Sequence, residues 1–198
     1  MGERSIRALY DNESIVVYQA YNNLIASTAV KHQAFVYSFF KRDRMTWVKP
    51  SFLWMMYRSG WATKKNQEHI LSIRIKREGF EWALQNACLS HFDSNIFSTH
   101  EEWKRQLSQS PVRIQWDPEK NILLNNLEYR SIQMGLSGIA VEKYVSEWIL
   151  EITDITTECK NIHRLVSTEK IDEAIKFLPK EVLYKVNNKL GRKINATD

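Results

Sequence analysis

The chain has 198 residues, 43% of them apolar and 26% charged, with six Gly and four Pro; this ordinary globular composition suits one well-buried core and excludes a disordered linker. No run of 18 apolar residues is present, which excludes a transmembrane helix, and two distant cysteines, Cys88 and Cys159, argue against a disulfide framework and suit a reducing cytosol. The net charge of +5 is concentrated, because residues 41–65 hold seven basic residues against one acid while the rest of the chain is close to neutral. The expected partner of such a field is a phosphate-bearing ligand or a polyanion, with no membrane role.

In chain order, the β-branched and aromatic run Ser14–Tyr21 predicts a strand. Asn22 predicts the cap of a helix to about Lys31, and the apolar run Ala34–Phe40 a second strand. Pro50 suits the first turn of a helix that runs to about Ser59 and stops at Gly60. His69–Lys76 alternates strictly and predicts a strand, followed by a helix from Glu78 to Cys88. Another helix is expected after Ser98 or Thr99, with Glu101 and Glu102 at its positive end. Val112–Trp116 predicts a strand that stops at Asp117-Pro118. Tyr129–Met134 predicts another, turning through Gly135–Gly138 into a helix to about Glu147.

Trp148–Ile155 is the last strand expected. The tail, about 166–191, predicts a helical hairpin: one helix capped by Thr168 and burying Ile171, Ala174, Ile175 and Leu178, then Pro179, then one burying Val182, Leu183, Val186 and Leu190. Its exposed face carries Lys176, Lys180, Lys185 and Lys189. Helices and strands intermingle without a βαβ rhythm. The expectation is therefore a single α+β domain over 1–198, with a mixed or antiparallel twisted sheet flanked by helices.

The basic stretch carries the most chemistry. On a helix over 52–60, Phe52, Met55, Met56 and Ser59 share one face, while Trp54, Tyr57, Arg58 and Trp61 share the other. The first is a core face. The second pairs large π surfaces with a guanidinium, which suits stacking on a base or nicotinamide ring while a phosphate is held; an aromatic stripe buried in the core is the plain alternative. Lys41, Arg42, Asp43, Arg44, Thr46, Trp47, Lys49 and Ser51 lie just upstream. The polar faces of the strands add Gln19, Arg74, Arg113, Gln115, Ser131 and Gln133, either solvated or lining a cleft. Arg130 with the Gly135–Gly138 turn offers an anion seat at a helix start. Cys88-x-x-His91-x-Asp93 has no second cluster to complete a metal site. Asp43, Glu78, Glu81 and Glu128 are the acid/base candidates, with no spacing that favours one.

Several blocks resemble a family known as domain of unknown function 4291: Ile6–Asp11 after Ser5, Val17–Tyr21, Phe40–Trp54, Arg77–Trp82, Gln115–Pro118 and Tyr129–Gln133. The resemblance spans roughly residues 5 to 160 and brings no established activity. Two enzyme analogies fit the chain order. In an ADP-ribosyltransferase-like fold, a split sheet grips NAD; Arg7 or Tyr10, then Thr46 and Ser51, then Gln133 as the late catalytic polar residue would match, with Gln where a Glu is usual. In a covalent nucleotidyltransferase, Lys41-x-Asp43 is similar to the ligase lysine motif and Glu78-Gly79-Phe80 to a later one, although Arg44 stands where Gly is expected. The leading expectation is a nucleotide-utilising enzyme, with NAD or another nucleotide as ligand. A non-catalytic RNA- or DNA-binding module is the alternative, and a protein-interaction domain the third.

Overall fold

The computed structural model describes residues 3–197. In chain order the elements are β1 (Arg7–Ala8), β2 (Ser14–Tyr21), α1 (Asn23–His32), β3 (Thr46–Val48), α2 (Phe52–Ser59), β4 (His69–Lys76), α3 (Arg77–Gln85) and β5 (Ala87–Leu89). There follow α4 (His100–Gln109), β6 (Val112–Lys120), β7 (Asn126–Leu136), α5 (Ile139–Lys143), which continues as a π-helical turn over Tyr144–Trp148, and β8 (Ile149–Asp154). The tail holds α6 (Thr156–Ser167), α7 (Ile171–Lys176), β9 (Val182–Leu183) and α8 (Asn188–Ile194). This is an α+β domain. Among the described residues no helix is long and apolar enough to cross a membrane.

The sheet is split. β2, β4 and β8 form an antiparallel three-stranded sheet in the order β2-β4-β8. The second sheet has the order β3-β7-β6-β5, antiparallel except for the parallel pair β5 and β6. The two meet just past β3, where Tyr18 N–H donates to the Lys49 carbonyl at 2.7 Å and Lys49 N–H to the Tyr18 carbonyl at 3.4 Å. The cleft described below is lined from both sheets, by Gln19–Tyr21 of β2 and by Thr46, Trp47, Gln115 and Gln133 of the other.

β2 is buried along most of its length because it separates two apolar clusters. Ile15 and Val17 point into the larger one with Ile73, Ile75, Phe80, Ile114 and Ile132. Val16 and Tyr18 point into the smaller one with Phe52, Met55, Met56, Ile70, Cys159 and Ile162. A strand covered on both faces reads as a continuous apolar run, as this one does. β4, by contrast, keeps Ser72, Arg74 and Lys76 partly in solvent and buries Leu71, Ile73 and Ile75, in keeping with its alternation.

Two caps fall where the sequence places them: the Asn22 side chain accepts from Ile25 N–H and Thr99 from Glu102 N–H. At α2 the cap is Ser51, which accepts from Trp54 N–H, so Pro50 precedes the helix instead of lying in its first turn. Gly60 ends α2 with φ of 59°, a left-handed conformation that glycine adopts without steric cost.

Four further expectations need correction. Ala34–Phe40 is not a strand; the segment turns, and Phe35 stacks on Phe40 at 4.4 Å in the core, so its apolar content serves packing rather than pairing. Asp117-Pro118 does not end β6; the strand runs on to Lys120 and absorbs the proline in a register shift between Pro118 and Lys120. Ala87–Leu89 leaves helix α3 as a strand parallel to β6. The tail is not an αα-hairpin across Pro179. Thr168 closes α6 instead of opening a helix, Val182–Leu183 is a strand paired antiparallel to β1, and Ile175 is half exposed. The pairing with Arg7–Ala8 satisfies the backbone of Val182 and Leu183, which outweighs the helical spacing of the apolar residues there.

Candidate functional site

The cleft between the two sheets has a volume of about 810 Å³. The end of β2 and the start of α1 supply Gln19, Ala20, Tyr21, Asn22 and Ile25. The loop before β3 supplies Phe39, Phe40, Lys41, Arg44 and Met45; β3 and the residues after it supply Thr46, Trp47 and Lys49. Helix α2 gives Trp54, Met55 and Arg58, the turn after it Asn66 and Gln67, and strands β6 and β7 give Gln115 and Gln133. Among the described residues four lining side chains are cationic, Lys41, Arg44, Lys49 and Arg58, and no lining residue is a carboxylate. Charges of one sign on low-dielectric walls focus a positive potential on the cavity.

Gln19 holds the two sheets in register. Its Nε2 donates to the Trp47 carbonyl at 3.0 Å and its Oε1 accepts from the Tyr144 hydroxyl at 2.7 Å, so both ends of the amide are used inside the protein. Gln133 has a different balance. Its Nε2 donates to Gln115 Oε1 at 2.6 Å and to Asp117 Oδ2 at 2.6 Å. With both amide hydrogens committed, the Gln133 carbonyl oxygen is the end left for a ligand. Gln115 and Gln133 face each other directly in the β6–β7 register, and Asp117 is two residues further along the same face of β6. Burial raises the Asp117 carboxyl above its ordinary range, against the Gln133 hydrogen bond and the charges of Lys49, Arg130 and His91.

Lys49 is the unusual cation. Its side chain is only 4% exposed, and its Nζ lies 4.5 Å from the centroid of the Trp54 ring. Burial, with help from Arg58, brings its ammonium down to about 7, while Asp117 pulls the other way. Arg58 stays exposed at the edge of the cavity, and the Gln67 amide, turned so that its oxygen faces the guanidinium, accepts from Arg58 Nη1 at 3.2 Å.

Ten of the candidate residues singled out from sequence therefore meet in one place: Gln19, Lys41, Arg44, Thr46, Trp47, Lys49, Trp54, Arg58, Gln115 and Gln133. The others lie elsewhere. Arg7 donates to the Glu181 carbonyl and Tyr10 to the Leu183 carbonyl, so both bind the C-terminal segment. Arg42 pairs with Glu142 at 2.7 Å, and Asp43 is exposed beside the cavity wall without lining it. Ser51 donates to Glu119 Oε1 at 2.8 Å beneath helix α2. Trp61 is core, stacked on His163 at 5.3 Å, and Tyr57 points outward under Lys120 at 3.6 Å. Arg74 is held by Ser14, Asp11 and Glu151 at the far side of the three-stranded sheet.

Arg113 lies outside the cleft wall on β6. Arg130 donates to the Trp116 carbonyl at 3.0 Å and borders a smaller cavity of about 200 Å³ with Arg4, His91 and Asp93. It is separated from Gly135 by roughly 17 Å of extended strand, so the two do not form one anion seat. Cys88 is buried and free, and among the described residues no three His, Cys, Asp or Glu side chains converge on a metal position. Sequence reasoning missed Asn22, Asn66 and Gln67, all polar residues at chain turns, and Asp117, which reads there only as the end of a strand.

No curated protein matches the chain. A family does, over residues 5–184, which is further than the motif blocks reach and takes in β9 with its contacts to Arg7 and Tyr10. The chain belongs to the family described as a domain of unknown function, DUF4291.

Proposed function

We propose that the inter-sheet cleft binds a nucleotide through its phosphates and rings, and that the protein is a nucleotide-utilising transferase of the ADP-ribosyltransferase-like kind, with NAD as the first ligand to test. The observation that carries the reading is the composition of a single cavity: among the described residues, four cations and no carboxylate, with the indoles of Trp47 and Trp54 also lining it. Cations meet the diphosphate, and aromatic faces suit a base or a nicotinamide ring. The split into a three-stranded and a four-stranded sheet, with the cavity between them, supports the analogy to folds that grip NAD in this way. Gln133 then presents its carbonyl oxygen as an acceptor for a ligand hydroxyl or amide N–H.

A thermal-shift series with NAD, ADP-ribose, ADP and ATP tests this. A ligand at about 100 times its Kd adds ~2.7 kcal/mol, and a chain of this size gains about 2–4 °C per kcal/mol. The expected result is a rise of about 5–10 °C that Trp54→Ala and Arg58→Ala each abolish. No shift with any of the four at millimolar concentration would remove the reading. With NAD, release of nicotinamide measured by chromatography reports turnover, and Gln133→Ala is expected to lower it more than it lowers binding.

A nucleic-acid-binding module is the second reading, favoured by the exposed Tyr57 ring flanked by Lys64 at 5.9 Å and Lys120 at 3.6 Å. Its signature is steep salt dependence, a slope of about −0.9 for each phosphate contact on duplex DNA. Arg44→Ala should flatten that slope by about one contact, whereas Arg42, tied to Glu142, should matter less. Affinity indifferent to both substitutions and to salt would end this reading.

A further inference from the structure

The cleft contains a buried cation that makes no ion pair among the described residues. Lys49 Nζ rests on the Trp54 ring and forms no ion pair among the described residues. Three elements surround it. From α2, Arg58 repels its charge; from β6, Asp117 attracts it without reaching ion-pair distance. From β2, Tyr18 pairs with its backbone, while the Tyr18 ring packs on Phe52 in the smaller core cluster. Lys41 and Arg44 add further positive charge on the wall. A buried ammonium is costly unless an anion lies beside it, so an anion in this cavity would favour the charged form of Lys49.

We propose that Lys49 is the anchor for a phosphate of the bound ligand, and that its Nζ takes up a proton as the ligand enters. The proposal rests on the nucleotide reading and adds to it the contact that recognises the phosphate. Burial and Arg58 hold this amine at about 7, so near neutrality it is divided between the two forms. A phosphate placed beside it favours the charged form and raises the bound-state value. The sign follows from linkage: binding consumes a proton, so affinity falls as pH rises above the free-site value, by up to tenfold per pH unit.

Calorimetry with ADP and with inorganic pyrophosphate, at pH 8 in buffers of different ionisation enthalpy, reads the proton count directly. The wild type should take up close to one proton with either probe, and adenosine should take up none. Pyrophosphate alone separates phosphate recognition from nucleoside recognition. Lys49→Arg should bind at every pH with no uptake. Lys49→Met should weaken ADP binding by about 10–100-fold at pH 6.5, an effect of one charged hydrogen bond, and should also abolish uptake.

ADP binding without proton uptake, or uptake that persists in both variants, overturns the anchor role while leaving the nucleotide reading in place. Absence of binding by ADP, NAD and pyrophosphate removes both. A readout that needs no ligand is the labelling rate of Lys49 by an amine-reactive ester, followed by mass spectrometry. Its midpoint is expected near pH 7 and should move upward with pyrophosphate; a midpoint in the ordinary lysine range also overturns the proposal.

Discussion

Glu181→Gln is expected to make the protein more stable than the wild type at pH 8, by roughly 3–5 kcal/mol, while leaving stability at pH 4.5 close to unchanged. Glu181 lies on the segment leading into β9, and its Oε1 accepts from Phe52 N–H at 2.7 Å at the start of α2. Burial, and the neighbouring Glu119 carboxyl, push its carboxyl up to about 8, against the Phe52 hydrogen bond and Arg7. The folded state therefore holds a proton that the unfolded chain releases near 4.5. More protons bound in the native state means that stability falls as pH rises from about 4.5 to about 8. Burial raises Glu119 as well, which adds a slope of the same sign. Glutamine keeps the acceptor for Phe52 and has nothing to ionise, so its variant should lack the Glu181 share of the slope.

Glu181→Ala removes the acceptor itself and should cost about 1–3 kcal/mol at pH 5. Urea denaturation of the three proteins at pH 5 and pH 8 separates the cases. A wild type and Glu181→Gln variant with parallel pH profiles would sink the idea. The consequence reaches the cleft, because α2 carries Trp54 and Arg58: the contact that docks the C-terminal segment also fixes the helix at the cavity wall.

That contact shows where the sequence stops being readable. A two-residue strand has no periodicity of its own, and Val182 and Leu183 sit at spacings that suit a helix, so nothing in the chain announces their pairing with Arg7 and Ala8. Arg7 and Tyr10 consequently read as ligand groups when they are ties to the tail. The faces of α2 read in part. Phe52, Met55, Met56 and Ser59 are buried and Trp54 and Arg58 reach the cavity, but Met55 lines it too, and Tyr57 points away from it under Lys120. Trp61 fails because the 100° step no longer applies beyond Gly60. Trp61 and Ala62 adopt φ of 55° and 65°, which turns the indole back into the smaller core cluster.

Lys49 reads as one more candidate cation of the basic run, and what the sequence does not show is its burial, with its backbone bridged to Tyr18 and its Nζ over the Trp54 ring. Charge, by contrast, carries over well. The stretch that holds the whole positive excess supplies every cation that lines the cavity among the described residues, since it runs from β3 in one sheet to β4 in the other past the cavity wall.

The crossing itself depends on Gly135, and Gly135→Ala is expected to damage stability and ligand binding together. Gly135 on β7 pairs directly with Trp47 on β3. A methyl group there would lie 2.6 Å from Met45 Sδ and 2.9 Å from Trp47 Cζ2, both shorter than real carbon contacts allow. The Met45 thioether can rotate away at small cost. The Trp47 ring cannot move so easily, since its backbone is fixed by the ladder and by the Gln19 bond to its carbonyl. Overpacking of this kind costs about 1–3 kcal/mol, or a fall in Tm of about 2–10 °C for a chain of this size.

Relief through Trp47 would move an indole of the cleft wall, so affinity for any cleft ligand should fall as well. The double variant Met45→Ala with Gly135→Ala distinguishes the two contacts. It should recover part of the stability, because the sulfur is gone, but not the affinity, because Trp47 remains displaced. Full recovery of both would mean that Met45 alone feels the methyl group. An unchanged Tm and unchanged binding in Gly135→Ala would mean that β3 and β7 can separate freely, and that the indole at this wall of the cleft is not held in place.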